Sequence, residues 1–161
     1  METGEKKGLS IILFSGDLDK AMAAFTIACA AAGDGYSVYI FFTFWGISLL
    51  RKERGEGRGV LEKMFKLLLP VGPEKTGLSK FNFYGLGGAL MRLLIRKRGT
   101  QSLQDLIKMA MERKINFIAC RASMKILGLR SEELIPYDLL TPGDAETFLQ
   151  KAAASRIQLF I

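Results

Sequence analysis

Leu9-Ser-Ile-Ile-Leu-Phe14, closed by Ser15-Gly16-Asp17, and Tyr36-Ser-Val-Tyr-Ile-Phe-Phe42 bracket a helix-forming stretch and decide the fold. Both runs are β-branched and apolar, the pattern of strands buried on both faces. Between them Leu18, Met22, Phe25, Cys29 and Ala32 recur at three- and four-residue spacing, and Gly33-Asp34-Gly35 supplies a helix stop. Strand, crossover helix and strand form one βαβ unit, so the two strands run parallel.

Downstream, Ile115-Asn-Phe-Ile-Ala119 reads as a third strand, Arg156–Ile161 as a terminal one, and Tyr137–Leu140 as a weaker strand. Leu103, Leu106, Ile107, Ala110 and Met111 form a helical stripe capped by Ser102, with Asp105 three residues on. Ala145, Phe148, Leu149 and Ala152 form another, opened by Thr141-Pro142 with Asp144 at the third helical position. This alternation predicts an open α/β sheet with helices on both faces.

Residues 51–100 interrupt the alternation as a helical insertion between strands two and three. A charged, glycine-rich connector, Arg51–Gly59, precedes an amphipathic helix over Val60–Leu69 that stops at Pro70 and Pro73. Gly85–Gly88 then leads into a second stripe, Leu90, Met91, Leu94 and Ile95, ending in Arg96-Lys97-Arg98. An excursion of this length serves a site or an interface.

A chain of 161 residues with 49% apolar and 24% charged residues is sized and composed for a single domain spanning 1–161. Two cysteines exclude a disulfide-built scaffold, and the absence of histidine excludes Ser-His-Asp and Cys-His pairs and His-ligated zinc. The carboxylates show no metal-ligand spacing, so no metal is expected. The net charge of +7 is unevenly spread: residues 1–50 carry −2, residues 51–98 carry +8 and residues 99–161 carry +1. A localised basic field of that kind favours an anionic partner or ligand near the middle segment. Nucleic acid is not expected, because no known nucleic-acid motif accompanies the charge. Met1–Gly8 is polar, Leu9–Phe14 is too short for a signal core, and Tyr36–Leu50 falls short of the about 20 residues of a membrane span. The expectation is a cytoplasmic protein, with peripheral membrane contact left open.

Cys120 is the strongest candidate for chemistry. It follows the third strand directly and precedes a short helix, Arg121–Leu127, closed by Gly128. Ligands gather at the carboxyl ends of strands in an open parallel sheet, and helix amides favour a thiolate there. Arg121 and Lys125 add positive charge, and Ser123 is spaced to donate to the sulfur across one turn. The competing reading is a small buried hydrophobe at a strand end. Cys29, on the apolar stripe of the first helix, is expected to be buried and inert, which favours chemistry on a single sulfur: a persulfide, a mixed disulfide or a sulfenate. Ser15, Gly16 and Asp17 stand where a phosphate loop would be but match no phosphate-loop pattern, so turn and cap is their expected role. Phe44, Trp45 and Gly46 end the second strand near the same sheet edge, either roofing a pocket or packing under the insertion.

Residues 8–161 resemble the DsrE/DsrF-like family of sulfur-relay proteins, in its DsrE-like sulfurtransferase branch. Ser15-Gly-Asp-Leu-Asp-Lys-Ala21, Phe41-Phe-Thr-Phe-Trp-Gly46 and Ala119-Cys-Arg-Ala-Ser-Met-Lys-Ile-Leu-Gly128 carry the likeness. The resemblance implies a flavodoxin-like, three-layer, mainly parallel five-stranded sheet and a homo-oligomer. It also implies that Cys120 carries sulfane sulfur as a persulfide between donor and acceptor proteins, with no other cofactor. The rival readings are a binding module for a nucleotide, flavin or coenzyme A, and an interaction subunit whose basic insertion docks on an acidic protein or anionic membrane. The mean hydropathy of +0.19 separately favours buried subunit contacts.

Overall fold

The computed structural model describes residues 7–52, 63, 64, 67, 69–80 and 86–161. Its sheet contains β1 (Gly8–Leu13), β2 (Ser37–Phe42), β3 (Asn116–Cys120), β4 (Leu140–Gly143) and β5 (Ile157–Phe160), in the order β4-β3-β2-β1-β5. Every neighbouring pair is parallel. The expected five-stranded α/β sheet is therefore present, with β1, β2 and β3 central.

Helices cover both faces, and the aromatic residues show which. Phe42 points toward α1 (Leu18–Gly33), where its ring lies 6.1 Å from Phe25 and 5.2 Å from Phe117. The preceding Phe41 points the opposite way and stacks 5.0 Å from Phe148 of α5 (Ala145–Ala153). Successive side chains of a strand alternate between faces, so α1 and α5 lie on opposite sides. The helix α3 (Leu103–Glu112) packs beside α1, completing three layers. Burying each of these phenylalanines stabilises the sheet–helix interfaces by about 1.5–3 kcal/mol.

The capping expected at Ser102 is present in full. Its Oγ accepts from the Asp105 N–H at 3.2 Å, and the Asp105 carboxylate accepts from the Ser102 N–H at 2.9 Å. The chain after Thr141-Pro142 departs from expectation. These residues belong to β4, Asp144 is the N-cap of α5, and its carboxylate accepts from the Thr147 N–H at 2.9 Å. Strand β4 is an edge strand, where proline's missing N–H costs no ladder bond. On α5 only Phe148 and Ala152 are buried, while Ala145 and Leu149 face solvent.

Within the insertion, the helix expected over Val60–Leu69 lies largely outside the described residues, as does Gly85. The second expected helix is α2 (Leu86–Lys97), which already contains Gly87 and Gly88. A Cβ at Gly88 would lie 3.2 Å from the Thr76 carbonyl oxygen, so the helix approaches the body closely there. Among the described residues, no helix is long and apolar enough to cross a membrane.

Candidate functional site

The carboxyl ends of the three central strands bring together three segments far apart in sequence. Strand β1 leads into Phe14–Asp17, β2 into a 3₁₀ turn over Phe44–Leu50, and β3 into Cys120 and the short helix α4 (Arg121–Ile126). Because Phe42 pairs with Ala119, Thr43 follows β2 beside Cys120. The chain then turns sharply down onto the end of β1. Gly46 donates its N–H to the Phe14 carbonyl at 2.9 Å and the Thr43 carbonyl at 3.0 Å. A Cβ at Gly46 would stand 2.1 Å from the Leu13 carbonyl oxygen, so only glycine fits. Phe44 is held at φ 43°, a left-handed conformation that costs a non-glycine residue about 1 kcal/mol or more and is commonest at functional sites.

Cys120 is a free thiol, 8% exposed, and is both the last residue of β3 and the N-cap residue of α4. Burial pushes the thiol up, but hydrogen bonds from the Ser123 hydroxyl and N–H, the Thr43 hydroxyl and the Ala122 N–H outweigh it. The result is a thiol held below its ordinary value. Ser123 is itself fixed: its Oγ lies 2.9 Å from Thr43 Oγ1 and accepts the Phe44 N–H at 3.0 Å. Thr43 and Ser123 have two hydroxyl hydrogens for three contacts, so a negative sulfur draws both toward itself.

The other sequence candidates take up different roles. Arg121 lies 3.7 Å from the Asp144 carboxylate with more than half of its side chain exposed. The thiol is thus held low by neutral donors instead of the cation expected beside it. Ser15 donates to the Asp17 carboxylate at 2.7 Å, and the same Asp17 oxygen takes the Lys20 ammonium at 3.1 Å. Asp17 occupies the N-cap position of α1 without a side-chain cap bond, so the turn is present and the side-chain cap is not. A Cβ at Gly16 would meet the Trp45 carbonyl oxygen at 2.7 Å, which locks this loop onto the 3₁₀ turn.

A cleft of about 400 Å³ opens at this edge, lined by Phe14, Ser15–Asp17, Trp45, Leu69 and neighbouring residues. Trp45 does wall a pocket, as anticipated, but Phe44 and Cys120 are not among its lining residues; Phe44 packs its ring 5.1 Å from Phe14. Cys29 contrasts with Cys120. Burial pushes it up against a partial offset from Arg113, and its Sγ faces the Leu106 carbonyl at 3.5 Å. Reading the residues alone misses Thr43 and Phe14; the register of a third strand beside Phe41–Gly46 is the signal that would have found Thr43. Among the described residues, no cluster of three or more Cys, Asp or Glu is placed to hold a metal.

These features define an α/β protein whose candidate reactive thiol stands at the carboxyl edge of a fully parallel sheet, activated by hydroxyls and amides. The chain belongs to the DsrE/DsrF/DrsH-like family, whose model matches residues 5–160. It is 42% identical over 161 residues to the uncharacterized protein YrkE of Bacillus subtilis, covering 99% of both chains. It is 31% identical over 161 residues to the sulfur carrier protein DsrE2 of Allochromatium vinosum, covering 98% of this chain and 99% of that one. The crystal structure of the ychN protein from E. coli has the same fold, with a TM-score of 0.57 at 10% identity, over 96% of this chain and 99% of that one.

Proposed function

We propose that the protein is a sulfur carrier or sulfurtransferase that holds sulfane sulfur as a persulfide on Cys120. The observation that carries this reading is the lowered thiol, ringed by Ser123, Thr43 and the Ala122 amide. Family membership and the likeness to a sulfur carrier protein support it. In the loading step the Cys120 thiolate attacks the outer sulfur of a donor persulfide. The donor's S–S bond breaks, the donor leaves as a thiolate, and a new S–S bond forms on Cys120. In the unloading step an acceptor thiolate attacks that outer sulfur, and Cys120 leaves as a thiolate. The two steps involve no net oxidation, and the same donors that stabilise the attacking thiolate stabilise the leaving one. Because Cys29 sits on the apolar face of α1 with its Sγ on the Leu106 carbonyl and its thiol pushed up, the second thiol in each step comes from a donor or acceptor protein.

The test is intact-protein mass after exposure to a sulfane-sulfur donor. The chain should gain one sulfur atom, Cys29→Ala should retain the gain, and Cys120→Ala should lose it. The reverse pattern overturns the proposal. A nucleotide or coenzyme A in the Trp45 cleft is less favoured, since Lys20, the only cation among its described lining residues, is already paired with Asp17.

A further inference from the structure

Helix α2 is mounted with its polar side inward. Gly88, Arg92, Ile95 and Arg96 lie on the side nearest the body, where Arg92 donates to the Thr76 carbonyl at 2.8 Å and Gly88 is buried. The opposite side carries Leu86, Leu90, Leu93 and Leu94 at i, i+4, i+7 and i+8, between 43% and 73% exposed. One turn further along the same side stands Lys97, followed by exposed Arg98. Amphipathic helices ordinarily bury the apolar face, so this one offers its leucines outward.

The charge around the stripe indicates what covers it. From Lys75 to Gln104 the chain carries six Lys or Arg and no Asp or Glu. The flanking Glu74 and Asp105 line the groove between α2 and the body with Arg92 and Arg96, away from the leucine stripe. An antiparallel pair of α2 helices from two copies would bury leucine on leucine, yet it would leave the cationic helix ends without a carboxylate from this whole stretch. Charges across a protein interface are arranged so that positive meets negative, which two copies of this all-basic stretch do not supply to each other. An aliphatic stripe with single-sign charge matches a surface that is apolar below and anionic above.

We propose that α2 lies flat on an anionic lipid surface, its leucine stripe in the boundary between headgroups and acyl chains and Lys97 and Arg98 against lipid phosphates. The helix has 12 residues, about 18 Å, enough to lie along a membrane surface and too short to span it. Docked in this way, the protein is held at the membrane through a surface that does not involve Cys120.

The experiment is flotation of the full chain with vesicles of phosphatidylcholine alone and of phosphatidylcholine mixed with phosphatidylglycerol. The chain should float with the mixed vesicles and only weakly with the neutral ones, and about 0.5 M salt should release most of it. Lys97→Gln/Arg98→Gln should lower the affinity about tenfold or more. Leu90→Ser/Leu93→Ser should do the same while keeping the wild-type melting curve, since both positions are exposed. Cys120→Ser should bind as the wild type does, so loss of sulfur loading and loss of lipid binding are separate outcomes. Equal flotation with both vesicle types, or no effect of either double variant, overturns the proposal. So does a wild-type oligomer that dissociates in Leu90→Ser/Leu93→Ser, which would assign the stripe to a second copy.

Discussion

The hydroxyls of Thr43 and Ser123, 80 residues apart in the chain, meet at 2.9 Å beneath the Cys120 sulfur. One comes from the end of β2 and the other from the first turn of α4, so the acidity of the thiol depends on both strands ending at the same level. Removing either hydroxyl leaves the burial of the sulfur in place and takes away part of what opposes it.

Ser123→Ala should therefore shift the pH profile of Cys120 alkylation upward and slow alkylation at neutral pH by about tenfold, the worth of one hydrogen bond to a charged group. Cys120 is an acid with a lowered folded-state pKa, so its contribution to stability is full above the unfolded-state value. That contribution fades as the pH falls through the folded one. Urea denaturation should accordingly show the wild type's margin over Ser123→Ala widening from neutral to alkaline pH. An unchanged alkylation profile would contradict this.

Gly46→Ala drives a methyl group against the Leu13 carbonyl oxygen, a backbone atom that cannot rotate away. The expected cost is about 3 kcal/mol in urea denaturation. Because the 3₁₀ turn must lift, the Phe44 N–H should leave Ser123, and the surviving folded fraction should alkylate more slowly at Cys120. A variant as stable and as reactive as the wild type would refute the close approach.

Arg121→Gln should leave Cys120 alkylation within about twofold of wild type, because its partner is Asp144 and exposed ion pairs contribute little. A loss as large as that of Ser123→Ala would return the guanidinium to the thiol's immediate surroundings.

The chain is expected to assemble as a homo-oligomer. Size-exclusion chromatography with light-scattering detection should give a mass above that of one chain at micromolar concentration. A single-chain mass at every loading would refute it.

The central sheet was legible because β1 and β2 are continuous apolar runs, and β3 announced the place of Cys120 by ending there. Thr141-Pro142 misled because a proline opening a helix and a proline on a sheet edge look alike until the strand order is known. Thr43 was missed for a related reason: it matters only through the register that sets Phe42 against Ala119. The amphipathic pattern of α2 was visible, but which face meets the body was not, since Arg92 is drawn inward by the Thr76 carbonyl, a backbone group with no trace in side-chain periodicity. Arg121 was placed beside the sulfur by sequence adjacency alone, and Asp144 at the end of β4 outcompeted it.

Because Thr43 and Ser123 come from distant points of the polypeptide, a chain still leaving the ribosome carries an unremarkable cysteine. The Thr43 hydroxyl joins the donors around that sulfur only once β2 and β3 lie side by side. How readily that sulfur ionises thereby reports whether the two strands have found their register.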